Sequence, residues 1–226
     1  MATPGHFDEE HAARYDDRFV KLAPMRDALH LVTRLALSEL PSGARILCVG
    51  AGTGAEMLHL AEAFPSWRFT AVEPSAPMLA RCRDRAQAAG IASRCDFHEG
   101  YVDALPADGF DGATSLLVSQ FLVDKSERTA FFRAIAERLQ SRAPLVVADL
   151  ASPLPFGDLF ELWKRAWLFA DIPRDNVDKM ADTYRDNVGV LPPDEVATII
   201  AQGGFDAVQR VFQTILIHGW TARRAA

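Results

Sequence analysis

The stretch RILCVGAGTG, residues 45–54, is the part of the sequence from which the fold can be predicted. After Arg45 its first residues are apolar without a break, which is typical of a strand buried on both faces of a parallel sheet. Gly50, Gly52 and Gly54 follow, and glycine lets a chain turn sharply and pass close to a ligand without a Cβ clash. The stretch therefore predicts a strand, a glycine-rich loop and the N-terminus of a helix, whose unpaired N–H groups point above the sheet.

Beyond this loop, short apolar runs alternate with longer amphipathic stretches. Such alternation predicts an α/β fold with a mostly parallel sheet. Helices are predicted from near Gly54 to residue 64 and at 77–89, 126–139 and 177–186, with an aromatic helix that ends near Phe169 and a last helix after Pro192. Strands are predicted at 45–49, 68–73, 96–99, 110–117 and 145–149, followed by a closing hairpin within 208–221.

Composition and charge exclude several classes of protein. Of the 226 residues, 49% are hydrophobic and 24% charged, which fits a globular domain and not a disordered chain. The net charge of -6 makes nucleic acid an unlikely partner, because phosphate backbones are bound by clustered lysine and arginine. The N-terminal residues lack the apolar core of a signal peptide, and no apolar run is long enough to span a bilayer.

The cysteines and histidines show no metal or disulfide pattern. Cys48, Cys82 and Cys95 are odd in number and have no CxxC spacing, which favours a reducing compartment and predicts a cytoplasmic protein. The six histidines show no metal-ligand spacing, so no metal site is predicted.

The second predicted strand ends on an acidic residue. Glu73 follows Gly54 by 19 positions, where a carboxylate can accept both hydroxyl hydrogens of an adenosine ribose. The glycine spacing is GxGxG, and not the GxGxxG of dinucleotide-binding proteins. The sequence therefore favours an adenosine ligand without phosphates, S-adenosylmethionine, over a nicotinamide dinucleotide.

With these residues the chain resembles the class I S-adenosylmethionine-dependent methyltransferases from about residue 7 to residue 220. The resemblance implies a Rossmann-like three-layer sandwich with a seven-stranded, mostly parallel sheet and an antiparallel final strand. It also implies methyl transfer from S-adenosylmethionine to an oxygen or nitrogen nucleophile of a small molecule. Four segments are expected: a helical cover of the cofactor and substrate at 1–44, the cofactor-binding core at 45–152, a helical cap at 153–190, and a final helix and hairpin at 191–226.

The resemblance also implies roles for individual residues. The loop residues Gly50, Ala51, Gly52 and Gly54 would hold the methionine part of the cofactor, and Glu73 would hold its ribose. Tyr101 stands where the family usually has an acidic residue for the adenine amine, so the backbone N–H of Val102 is the alternative contact. The other expected cofactor contacts are Tyr15 near the methionine part, Pro74 and Met78 at the adenine, Gly100 in the adenine loop, and Leu116 at the sulfonium.

A closer resemblance is to the carboxy-S-adenosylmethionine synthases of tRNA modification. Residues 119–122 (SQFL) and 126–128 (SER) carry it. Those enzymes hold a carboxylate with an asparagine at the position of Leu116 and with an arginine that aligns with Asp182, one helical turn from Arg185. A desolvated carboxylate needs a cation or several donors, which Leu116 and Asp182 do not offer.

Methyl transfer needs no catalytic triad, because the cofactor carries the reactivity. His6, His11 and Tyr15 are nevertheless candidate catalytic groups in the N-terminal cover. A non-catalytic protein that binds the cofactor is the third hypothesis.

The candidate acceptor-binding residues are Gln120, Trp163, Trp167 and Tyr184. Gln120 could instead cap the fourth strand, and the tryptophans could form the core of the cap, since three- and four-residue steps share a helix face. The same aromatic residues could form the contact of a homodimer.

Overall fold

The computed structural model describes residues 20–107, 109–154 and 156–226. One sheet runs through the described chain, and its strands are β1 (Arg45–Val49), β2 (Arg68–Glu73), β3 (Cys95–Glu99), β4 (Gly112–Leu116), β5 (Pro144–Leu150), β6 (Phe205–Thr214) and β7 (Ile217–Arg224). Their order is β3-β2-β1-β4-β5-β7-β6. The first five strands are parallel, and β7 pairs antiparallel with both β5 and β6.

Helices cover both faces of this sheet. They are α1 (Ala23–Leu37), α2 (Ala55–Ala63), α3 (Ala76–Ala88), α4 (Lys125–Arg138), α5 (Asp158–Phe169), α6 (Arg174–Asp178), α7 (Met180–Asn187) and α8 (Pro193–Gln202). Successive side chains of a strand point to opposite faces. Accordingly, Ile46 and Cys48 of β1 pack with α1, α2 and α3, whereas Leu47 and Val49 pack with α4 and α8. The result is the predicted three-layer sandwich, with its seven-stranded sheet and its reversed last strand.

The predicted bounds of β1 and β2 are confirmed, but the fourth strand is shorter than predicted. It spans Gly112–Leu116 and not 110–117. Phe110 forms one isolated bridge to Leu139, and Leu117 has a φ of +62°, which takes its backbone out of the strand conformation. The helix predicted at 177–186 is also different, because the chain forms two short helices that meet at Lys179.

We call α5, α6 and α7 the cap. Their apolar residues Phe160, Trp163 and Met180 pack with Leu29 of α1 and Ile217 of β7, and this cluster is separate from the two layers of the main core. The chain leaves the sheet for the cap and returns at one place, where Ala151 bridges Leu191 and the Ser152 N–H donates to the Leu191 carbonyl at 2.9 Å. The cap is therefore an insertion whose two ends lie side by side. In the described ranges, none of the helices has the length and hydrophobicity that crossing a bilayer requires.

Two buried histidines make stability depend on pH. Burial is the main cause that lowers the pKa of His30 and of His218 to about 4 in each case. The ring nitrogens of His218 are buried and have no hydrogen-bond partner within the described residues. Because the folded pKa is lower than the ordinary value of 6.5, each histidine contributes stability that is complete above pH 6.5 and is lost as the pH falls towards 4.

Between pH 7 and pH 5 the free energy of unfolding should decrease in the unmodified protein more than in His218→Leu. We predict that the two decreases differ by about 1–2 kcal/mol. Glu56, whose pKa burial raises to about 7, acts in the opposite direction, but it is present in both proteins. Urea unfolding at the two pH values measures the difference, and equal losses in the two proteins would contradict the role given to His218.

Candidate active site

The glycine-rich loop lies where the sheet changes its winding direction. β1 is flanked by β2 on one side and β4 on the other. The helix after β1, α2, packs on one face of the sheet, and the helix after β4, α4, packs on the opposite face. A crevice therefore opens between the carboxyl ends of β1 and β4, and in open α/β sheets ligands bind at such a switch point.

The three loop glycines differ in what surrounds them. Gly50, Gly52 and Gly54 have φ values of +68°, +54° and +80°, which L side chains rarely adopt. A Cβ on Gly50 would lie 2.4 Å from a methyl of Val118, and one on Gly54 would lie 2.6 Å from the sulfur of Cys82. A Cβ on Gly52 would meet no atom closer than 3.7 Å. Packing therefore requires Gly50 and Gly54, whereas a Cβ on Gly52 would make only an ordinary van der Waals contact with Met78.

Glu73, at the end of β2, is held against this loop. Its side chain is buried, and its two oxygens accept backbone N–H groups from Gly52 and Ser75, both at 2.9 Å. Burial raises the pKa of Glu73 above its ordinary value, and the two N–H groups oppose that shift. Each carboxylate oxygen has two acceptor positions, so one position remains on each. Glu73 can thus accept two further hydroxyl groups from a neighbouring diol.

The predicted adenine contacts lie at the same edge of the sheet. Met78 is 3% exposed, and its terminal methyl is the atom nearest to the place where a Cβ of Gly52 would lie. The N–H of Gly100 donates to the carbonyl of Glu73, which places the loop after β3 beside the end of β2. Within that loop, Val102 is buried and Tyr101 is 39% exposed. Pro74 is half-buried, between Glu73 and the N-terminus of α3.

The end of β4 joins the crevice to the cap. Leu116 and Leu117 are half-buried and pack against the cap cluster. Leu117 keeps its left-handed backbone while its N–H donates to the Ala148 carbonyl at 2.6 Å. A non-glycine residue in this conformation is uncommon, and here it ends β4 and turns the chain towards the cap.

Gln120, predicted as an acceptor contact, has its side chain in the interior. It is 5% exposed, and its amide oxygen accepts the N–H of Leu150 at 2.6 Å. Its own N–H donates to Asp149 at 2.9 Å. Of the two interpretations of Gln120, this geometry fits the structural one, because the amide oxygen is bonded to the backbone of β5.

A buried ion pair supports the same loop. Arg128 of α4 and Asp149 of β5 have fully buried side chains, and their charged atoms are 3.0 Å apart. Arg128 also donates to the Ser119 hydroxyl at 2.8 Å and to the Gly189 carbonyl at 3.0 Å. Gly189 follows the cap, so this network ties the end of the cap to the loop after β4.

The cap aromatics divide into two groups. Trp163 is 5% exposed and its ring N–H donates to the Tyr184 hydroxyl at 2.9 Å. Burial raises the pKa of Tyr184 to about 12, so its hydroxyl stays protonated. Trp163 therefore packs as core, as one interpretation predicts, while Trp167 and Tyr184 are half-buried beside it. The other candidates, His6, His11 and Tyr15, lie outside the described residues.

Comparison with known proteins agrees with this geometry. A family model described as a methyltransferase domain matches residues 46–142. A malonyl-[acyl-carrier protein] O-methyltransferase of Geobacter sulfurreducens is 31% identical over 205 residues, which are 88% of this chain and 68% of the relative.

Two solved structures share the fold at low identity. An O-methyltransferase family protein from Burkholderia thailandensis superposes with a TM-score of 0.70 at 13% identity, over 97% of this chain and 61% of that one. An O-methyltransferase family 2 protein from Planctomyces limnophilus, in complex with apigenin, gives a TM-score of 0.64 at 17% identity, over 94% and 62%. These two structures show the shared fold, and the match to the Geobacter sulfurreducens relative shows that the chain belongs to the S-adenosylmethionine-dependent methyltransferases.

Proposed function

We propose that the protein transfers the methyl group of S-adenosylmethionine to an oxygen or nitrogen atom of a small molecule. The observation that supports this most directly is the carboxylate of Glu73, held by two backbone N–H groups with an acceptor position left on each oxygen. Such a carboxylate fits the two ribose hydroxyls of an adenosine. Gly52 lacks the tight packing around Gly50 and Gly54, which is compatible with a ligand on that side of the loop.

Different residues of the crevice would bind different parts of the cofactor. The glycine loop receives the methionine part, Glu73 the ribose, and Pro74 and Met78 the adenine, while Leu116 lines the sulfonium position. When bound, the cofactor supplies an electrophilic methyl group. The chain itself aligns the acceptor atom with that methyl group and excludes water, which is how positioning lowers the barrier of an in-line displacement.

The cap is the segment that we expect to choose the acceptor. Leu117, Trp167 and Tyr184 are half-buried and border the same apolar cluster next to the end of β4. The curated relative is, by its name, an O-methyltransferase of a malonyl group on acyl carrier protein, and one structural neighbour was solved with apigenin. An oxygen nucleophile is therefore our first choice of acceptor atom. A homodimer through the cap aromatics stays a prediction, which sedimentation can test; of these residues, Phe169 is 65% exposed.

The carboxy-S-adenosylmethionine synthase alternative has less support. Leu116 has no side-chain donor, and Arg185 forms an exposed pair with Asp182 at 2.8 Å. Incubation with prephenate and cofactor, followed by mass spectrometry, tests it directly. We expect no carboxylated cofactor.

Turnover separates an enzyme from a binding protein. We predict that phenols, carboxylic acids and amines, screened one class at a time with S-adenosylmethionine, will include an acceptor that releases S-adenosylhomocysteine. The release should exceed that from cofactor alone by at least about 100-fold, since orientation by itself supplies several kcal/mol. Tight cofactor binding without release for any class would instead support the non-catalytic hypothesis.

A further inference from the structure

A buried carboxyl group that the sequence does not single out comes directly after the glycine loop. Glu56 is in the first turn of α2, two residues after Gly54, and is 8% exposed. Its carboxylate accepts a hydrogen bond from the hydroxyl of Thr114 in β4, and Thr114 pairs in register with Cys48 of β1. The carboxyl group of Glu56 therefore lies against the paired strands β1 and β4, at the switch point of the sheet.

Among the described residues, none places a counter-charge beside Glu56. The groups that face it are Cys48 from β1, Cys82 from α3 and Thr114 from β4. Burial raises the pKa of both cysteines, so their thiols stay neutral. His30 of α1 packs against His59 of α2. Its electrostatic interactions are with His59, Arg26 and Asp27, and not with Glu56. Within the described ranges, Glu56 forms no ion pair and has Thr114 as its one hydrogen-bond partner.

A buried carboxyl group without a cation is costly to keep charged. Burial accordingly raises the pKa of Glu56 to about 7, and the Thr114 hydrogen bond only partly opposes it. One carboxylate oxygen is occupied by Thr114, which leaves acceptor capacity on the other. Residues 20–107, 109–154 and 156–226 therefore supply no positively charged hydrogen-bond donor to this carboxyl group.

We propose that Glu56 binds the α-ammonium group of the amino-acid part of the cofactor. This inference rests on the proposed function, because it takes S-adenosylmethionine as the ligand. The cofactor carries two positive charges, and only the ammonium has N–H groups to donate to a carboxylate. The sulfonium has none. The ammonium is also on the methionine part, which would be held by the glycine loop that ends two residues before Glu56.

The proposal predicts that cofactor binding releases a proton near neutral pH. A carboxyl group that is partly protonated in the free protein becomes a carboxylate when the ammonium binds, because an adjacent positive charge favours the charged form. Affinity should then rise with pH up to about 7 and level off above it. A residue that only supports the fold would not link binding to protons in this way.

Calorimetric titration with two ligands tests the assignment. S-adenosylhomocysteine keeps the ammonium, whereas 5′-methylthioadenosine lacks the amino-acid part. At pH 7.5, Glu56→Gln should lower the affinity for S-adenosylhomocysteine about 10- to 100-fold and change that for 5′-methylthioadenosine less than about twofold. Titrations of the unmodified protein in buffers of different ionisation enthalpy should show release of part of a proton with the first ligand only.

Each outcome has one meaning. Equal weakening of both ligands by Glu56→Gln, or no proton release by the unmodified protein, would overturn the proposal. Glu73→Ala should weaken both ligands, so the ribose assignment fails independently if only one of them responds. If neither ligand bound to the unmodified protein, both the proposed function and this inference would be overturned. The proton measurement needs no variant, so it decides the question even if Glu56→Gln does not fold.

Discussion

Glu73→Ala is expected to weaken binding of S-adenosylmethionine and S-adenosylhomocysteine by about 1–3 kcal/mol, or about 5- to 150-fold, the range for lost hydrogen bonds to a charged group. The carboxylate is held at 2.9 Å by two backbone N–H groups, so it meets the ribose in a fixed orientation. Titration calorimetry measures the loss. Unchanged affinity would refute the ribose assignment.

Two controls separate ribose contacts from damage to the loop. Glu39→Ala removes an exposed carboxylate from the turn after α1 and should leave affinity unchanged. A 2′,3′-dideoxy form of S-adenosylhomocysteine should bind the unmodified protein more weakly than the parent ligand, but should bind Glu73→Ala about as well as the parent does. If the dideoxy ligand loses as much affinity in the variant as in the unmodified protein, Glu73 acts only on the loop.

Arg128→Met is expected to lower the free energy of unfolding by about 3–5 kcal/mol, because it leaves the buried carboxylate of Asp149 without its cation. That is a large part of the stability of a typical domain. The same guanidinium bonds Ser119 and Gly189, so the loop after β4 and the end of the cap lose their connection as well. Chemical denaturation measures the change.

An exposed ion pair in the same chain gives the matched control. Arg142 and Asp206 are 2.6 Å apart, but their side chains are 57% and 46% exposed. Arg142→Met should change stability by about 1 kcal/mol or less, as is usual for surface pairs. Similar losses for the two variants would show that burial of Arg128 does not determine its contribution.

The elements nearest the glycine loop were the ones predicted best. β1 and β2 have the predicted bounds, because an apolar run is followed in one case by glycines and in the other by an acidic residue and proline. The predicted end of β4 is wrong. Leu117 belongs to the apolar run of the sequence, and only its left-handed backbone removes it from the strand. The break at Lys179 also has no local signal, as the residues on both sides are compatible with helix.

Sequence reasoning missed the parts of the site that depend on distant contacts. Glu56 looks like an ordinary acidic residue in a first helical turn, and its burial becomes visible only through Thr114, 58 positions later. Arg128 looks like a polar surface residue until β5 is placed beside it, and the hydrogen bond that Gln120 forms with Leu150 of β5 has no local signal either. Residues whose role is set by the loop itself, such as Gly52, can be predicted, because the backbone conformation requires glycine there.

The side-by-side ends of the cap bear on how the protein can acquire new acceptors. Ala151 and Leu191 form a β-bridge, so the two ends of the polypeptide between them are held together. The entropy of closing such a loop grows only slowly with its length, by about 0.6 kcal/mol for each doubling. Insertions and deletions between these two residues can therefore change the length and shape of the cap, while the glycine loop and the strands around it keep their geometry.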